Sequence, residues 1–133
     1  MASFIVSDAS PRARMSSAFG DARTLPASDQ AKTILKQLVT KNLFNDQRHA
    51  WALGASLGIA SGKVHSSGKR GTFQNINSLD PDGILAATMV GLYPNLTQKE
   101  RREKLVDHAE WGIREINRKE QNGTLDFSTL GLK

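Results

Sequence analysis

The run Gln47-Arg48-His49-Ala50-Trp51-Ala52-Leu53-Gly54-Ala55-Ser56-Leu57-Gly58-Ile59-Ala60 decides how the chain is read. It is apolar or small on nearly every side, and its one permanent charge, Arg48, stands at its start. A helix that is apolar all round is buried either in protein or in a membrane. A bilayer needs about 20 apolar residues and this run is shorter, so it reads as the central helix of a small soluble domain. Leu53 and Leu57, with Ala50 a turn earlier, make one ridge. Gly54 and Gly58, four apart, make a smooth strip where another helix packs at short range. Each such glycine costs about 1 kcal/mol against alanine in a helix, so a packing reason is expected. The pair is a membrane-dimer signature only within an apolar 20-mer, which is lacking.

The segments on either side are also helical. Before the run, Ser28-Asp29 offers an N-cap, and Ala31, Ile34, Leu35, Leu38 and Val39 follow the i, i+3, i+4, i+7, i+8 spacing of an amphipathic helix ending at Lys41-Asn42. Asn45 or Asp46 caps the central helix, so the two form a tight helix-turn-helix or a helical hairpin. After it, Ser61 to Leu79 (SGKVHSSGKRGTFQNINSL) is polar and punctuated by glycine. It reads as a long loop, pinned by Phe73 and Ile76 and with room for a short hairpin across Ser66-Ser67-Gly68. Asp80-Pro81-Asp82 predicts a third helix, with Asp80 as N-cap and Pro81 in the first position. Ile84, Leu85, Met89 and Leu92 form its apolar stripe, and Tyr93-Pro94 stops it. Thr97-Gln98-Lys99-Glu100 is a capping box opening a fourth helix. Leu105, Val106, Ala109, Gly112, Ile113 and Ile116 make that helix's buried face, and Asn122-Gly123 ends it. Its alternating charges, Lys99 to Lys104, mark a solvated face.

The expected fold class is therefore all-α: a small four-helix domain with a long basic loop between helices 2 and 3. Residues 1–27 read as a flexible N-terminal arm, with a short edge strand conceivable at Arg23 to Pro26. Residues 28–123 are the helical domain, and 124–133 a C-terminal tail. The tail's Leu125, Phe127, Leu130 and Leu132 are too apolar to be wholly free.

The chain has 133 residues, no cysteine and a net charge of +5. Disulfides, thiolate metal sites and cysteine nucleophiles are excluded. No secretory signal and no transmembrane stretch is legible, so a cytoplasmic setting is expected. The charge is unevenly spread. Residues 32–71 hold seven cations (Lys32, Lys36, Lys41, Arg48, Lys63, Lys69, Arg70) against Asp46, a balance of +6. Residues 72–133 hold eight cations and nine acids, and the first 31 residues balance at zero. An excess confined to the middle third favours an anionic partner.

No motif carries catalysis. Gly62 through Gly71 resembles a phosphate loop, but five residues separate Gly62 from Gly68 where that loop has four, and no Ser or Thr follows Lys69. Three cations on flexible glycines remain (Lys63, Lys69, Arg70), suited to phosphate backbone contact. His49, His65 and His108 lack metal-ligand spacing, with His65 expected in solvent and His108 on the flank of the last helix. Asp80 and Asp82 lack the rest of a calcium loop. Glu110 reads as a surface carboxylate, and Trp51 and Trp111 as core or interface residues. A non-enzyme without cofactor or metal is expected.

The order of elements carries a resemblance. A lysine-bearing helix from Gln30 to Lys41 is followed by a short turn and an Arg-headed helix, Arg48 to Ile59, containing Arg48-x-Ala50 and Ser56-Leu57. Then come a glycine-rich stretch, a short helix and a last helix with His108-x-x-x-Gly112-Ile113. This resembles the DndE-type DNA sulfur modification (phosphorothioation) proteins over roughly residues 25 to 117. The resemblance implies a helical, oligomeric, non-catalytic subunit of the machinery that replaces a non-bridging DNA phosphate oxygen with sulfur. It also implies binding of duplex DNA, notably nicked duplex, through surface lysines, here Lys32 and Lys36, with other subunits of the complex as partners. Lys63, Lys69 and Arg70 are added on charge alone. The alternatives are a helix-turn-helix or ribbon-helix-helix regulator, and a protein-binding adaptor using the Gly54/Gly58 strip.

Overall fold

The structure, a computed structural model, describes residues 17–126. A 3-10 turn at Ser17–Phe19 leads into strand β1 (Thr24–Ser28), helix α1 (Asp29–Thr40) and helix α2 (Gln47–Ser61). Strand β2 (Arg70–Asn75) runs into the single-turn helix α3 (Ile76–Leu79), followed by α4 (Ile84–Leu92) and the long α5 (Gln98–Gln121). The fold is mostly helical but not all-α, because β1 and β2 form a two-stranded antiparallel sheet.

Helices α2 and α5 form the most extensive contact in the molecule. Their backbones touch. A Cβ added at Gly112 would collide with the carbonyl of Gly54, and one at Gly58 with the carbonyl of His108. One at Gly54 would lie 2.8 Å from Ile113 Cγ1. The glycine strip read from the sequence therefore has its packing reason, and Gly112 supplies the facing half. Trp51, Ala50 and Ala55 of α2 are buried beside Leu105, Ala109, Ile113 and Ile116 of α5. Helix α1 buries Ala31, Ile34, Leu35 and Leu38, the face its periodicity marks.

Three caps match the sequence reading. The Ser28 hydroxyl accepts from Ala31 N, the Asp46 carboxylate from Arg48 N, and Thr97 with Glu100 forms the reciprocal capping box. The side-chain and backbone hydrogen bonds from Arg48 hold Asp46 down at about 2, so this cap is charged at ordinary pH. Helix α2 ends at Gly62, whose φ of 63° is the left-handed conformation that glycine adopts without strain.

Other expectations are corrected. Residues 1–16 of the expected arm lie outside the described residues. Residues 18–27 do not behave as an arm, because Ala18, Phe19, Leu25 and Ala27 are core. The edge strand exists and runs to Ser28. The second half of the expected loop is strand β2 plus α3, and β2 pairs with β1, so no hairpin forms across Ser66-Ser67-Gly68. The register shifts between Leu25 and Pro26, so Phe73 has no partner. A bulge accommodates a proline, which has no N–H to give the ladder. Helix α4 begins at Ile84, not at Pro81; the buried Asp80 still caps it, accepting from the N–H groups of Leu85 and Ala86 at 2.9 Å each. Of the tail, Leu125 packs on the core; Phe127, Leu130 and Leu132 lie outside the described residues.

Close packing sets the sign of three alanine substitutions. Gly58→Ala and Gly112→Ala each lower stability, overpacking by about 1–3 kcal/mol or more and outweighing alanine's better helix propensity. Gly91→Ala on α4, where an added Cβ meets nothing within 4 Å, raises stability by about 0.5–1 kcal/mol. Thermal denaturation of the three variants reads both signs, and a stabilised Gly58→Ala would contradict backbone contact between α2 and α5.

Candidate nucleic-acid interface

The site is built on polar side chains that α5 sends toward its neighbours. Glu110 is buried, not at the surface as its sequence context suggested. Its Oε2 accepts from Ser28 N at 2.9 Å, and its Oε1 from the Ser28 hydroxyl at 2.7 Å and from Arg114 Nη1 at 2.6 Å. Arg114 Nη2 in turn donates to Gln30 Oε1 at 2.9 Å. Ser28 is both the last residue of β1 and the N-cap of α1, so this cluster fixes where α1 leaves the sheet. Burial pushes the Glu110 carboxyl up, but the hydrogen bonds from Arg114 and Ser28 and the guanidinium charge outweigh it, and the pKa lies below the ordinary value.

Less than one turn earlier, α5 holds the basic loop. His65 N donates to the Asp107 carbonyl at 3.0 Å. Arg70 spans the loop, donating to Asp107 Oδ1 and Ser67 Oγ, each at 2.7 Å, and to the His65 carbonyl at 3.1 Å. His108 is buried, not on a flank. Its Nδ1 donates to the Lys63 carbonyl at 2.7 Å, a group that only accepts, leaving Nε2 to take the Tyr93 hydroxyl at 2.8 Å. The start of the loop and the end of α4 thus meet on one imidazole. His65 is half-buried, not free in solvent. Arg101, expected on the solvated face, is also buried, donating to the carbonyls of Ala18, Tyr93, Pro94 and Leu96.

The five cations proposed for DNA contact divide. Lys36, Lys63 and Lys69 are exposed and Lys32 is half-exposed. Among the described residues none of the four enters an ion pair, whereas Lys41 pairs with Glu120 and Arg48 with Asp46. Arg70 is spent inside the molecule on Asp107, a pair mostly removed from solvent. The strand register puts Arg70 opposite Ser28 and Gly71 opposite Ala27, so β2 starts beside the first turn of α1. A Cβ at Gly71 would lie 3.3 Å from Lys32 Nζ. Lys32 and the Lys69-Arg70-Gly71 end of the loop therefore occupy one region of the surface, with Lys36 a turn along α1. Lys63 joins through its carbonyl bond to α5. The acids of α5 near this region, Asp107 and Glu110, are neutralised by arginines.

Sequence reasoning missed Glu110, His108 and Arg101 as structural anchors. Only the Glu110–Arg114 spacing, four apart on a helix, was a usable signal; the other partners are distant in sequence. Trp51 is buried and offers no stacking face to a base. Among the described residues no group of three or more acids and histidines converges as a metal site. No described helix is long and apolar enough to cross a membrane. An open cavity of about 580 Å³, lined by Asp21, Arg23, Asn75 and Asn77 among others, lies at the opposite end of the ladder from Lys32 and Arg70.

The lowered pKa of Glu110 fixes the sign of a pH effect. Its contribution is present above the unfolded value near 4.5 and is lost as pH falls through the lower folded value. Glu110→Gln is expected to cost about 3 kcal/mol at neutral pH, by stranding Arg114, and to flatten the loss of stability on acidification. Urea unfolding across pH reads both; curves that run parallel would sink the assignment. Comparison of the chain with protein families, curated proteins and solved structures finds no match.

Proposed function

We propose that this protein binds the phosphate backbone of duplex DNA as a non-catalytic, oligomeric accessory component of DNA phosphorothioate modification. The observation that carries DNA binding is the charge partition around the start of α1. Lys32, Lys36, Lys63 and Lys69, which form no ion pair among the described residues, outnumber the acids of this region: Asp107 and Glu110 are paired with arginine, and Asp29 in the first turn of α1 is an exposed acid outside those pairs. Such a surface presents net positive charge and little shape, which suits phosphate contact more than base reading. Arg70 serves it indirectly, by holding the loop that bears Lys63 and Lys69. The assignment to phosphorothioate modification rests on the resemblance in element order and on the His108-x-x-x-Gly112-Ile113 ending. The sulfur chemistry belongs to partner subunits, and this reading requires no cofactor or metal of the chain.

A regulator of the ribbon-helix-helix kind is the second reading, favoured by the strand–helix–helix order of β1, α1 and α2. It sits less well with β1, which pairs with β2 of the same chain and turns Leu25 and Ala27 inward. Ala50, Trp51, Gly54, Ala55 and Gly58 are likewise buried along α2, the helix that would have to read bases. Selection of binding sites from random duplexes that returned one tight motif would favour this alternative.

Fluorescence anisotropy against intact duplex, nicked duplex and single-stranded probes tests the proposal. Salt-sensitive binding that favours duplex, most of all nicked duplex, is expected. The Lys32→Ala/Lys36→Ala double variant is expected to bind more weakly and to flatten the log–log salt slope by about 1.8, at about 0.9 per phosphate neutralised. Unchanged affinity and slope would refute the assignment of these lysines. Absence of binding to every probe at low salt would move the reading to a protein-binding adaptor.

A further inference from the structure

Helix α4 is apolar apart from Thr88, yet only partly covered. Leu85, Ala86 and Met89 face the core. On the other side Ile84 is 62%, Leu92 53% and Val90 38% exposed, and Ala87 and Gly91 between them are exposed as well. At 100° per residue these positions share a continuous arc of about half the helix surface. No described residue covers it. An apolar face of this kind on a folded domain marks a contact surface.

The path of the chain indicates the occupant. The 3-10 turn Ser17–Phe19, where the described structure begins, packs against both α4 and α5. Arg101 and Arg102 of α5 hold the carbonyls of Ala18 and Phe19. Residues 1–16 therefore join the domain beside α4. They contain one run of three large apolar residues, Phe4-Ile5-Val6. Ten residues separate Val6 from Ser17, and the eleven Cα steps between them span up to about 36 Å, while α4 is only about 14 Å long. The apolar C-terminal tail is a poorer fit. Arg101 holds the Tyr93 carbonyl, so the end of α4 sits by the first turns of α5. The tail leaves α5 about 30 Å further along its axis, and Phe127 to Lys133 extends to only about 24 Å.

We propose that Phe4-Ile5-Val6 docks on the exposed Ile84/Ala87/Val90 face of α4 in the same chain. The inference is independent of DNA binding. The absence of cysteine makes the test direct, since a single Ser7→Cys substitution in the full chain gives one attachment point for a nitroxide. In an isotope-labelled, spin-labelled sample the amide NMR signals of Ala87, Thr88 and Gly91 are expected to broaden strongly, and Ile5→Asp is expected to restore them. Mixing isotope-labelled chains free of nitroxide with unlabelled spin-labelled chains is expected to leave these signals sharp. Signals that stay sharp in the first sample would overturn the proposal. So would broadening of equal strength in the mixed sample, which would assign the face to a second copy, and so would broadening that survives Ile5→Asp.

Discussion

The structure depends on the direct backbone contact between α2 and α5. Glycine on both helices, Gly54 and Gly58 facing Gly112 and the His108 carbonyl, lets the axes approach until main chain meets main chain. No other contact between elements in the domain is as extensive. Close approach also explains how so apolar a helix as α2 is satisfied within a chain of modest size, because α5 covers one side and α1 lies against another. At such an approach there is no room for an added methyl between the two helices.

Helix α5 then acts as the post to which its neighbours are tied by buried and half-buried polar groups. Arg101 holds the N-terminal turn and the α4–α5 connection, and His108 holds the start of the basic loop and the end of α4. Asp107 holds Arg70, and Glu110 with Arg114 holds the β1–α1 junction. Each of these groups is hydrogen-bonded, and among the described residues no buried side-chain nitrogen or oxygen is left without a partner. That completeness matters, because an unpaired polar atom in such a site costs more than its hydrogen bond is worth.

The same ties shape the surface. By committing arginines to Asp107 and Glu110 of α5, the fold offsets their negative charge near the first turn of α1, where Asp29 remains as an exposed acid among the lysines. Arginine suits the inner role, since its planar fork serves several acceptors at once, while lysine on a flexible stem suits an outer, phosphate-facing one. Lys32, Lys36, Lys63 and Lys69 on one side and Arg70, Arg101 and Arg114 on the other follow that division of labour, the chemistry on which the proposed DNA contact rests.

The sequence by itself determined what is local. Periodicity located α1, α2, α4 and α5. Ser28, Asp46 and Thr97 marked helix starts, and the Gly54/Gly58 strip announced a close neighbour, because each signal lies within a few residues of the structure it specifies. Only the tertiary structure decided what depends on distant partners. Strand β2 carries no alternation of its own, with Phe73 its one large apolar residue, and exists because β1, some 46 residues earlier by the Thr72–Pro26 pairing, supplies its ladder. Glu110, His108 and Arg101 look like surface residues on a charged helix until Ser28, Lys63, Tyr93 and Ala18 are brought against them. Of the cations legible as an excess of charge, the fold alone separated Arg70 and Lys41, paired with Asp107 and Glu120, from the lysines that form no ion pair among the described residues. Hydrogen bonding and ion pairing act over about 3 Å in space, and separation along the chain does not reveal which groups will be that close.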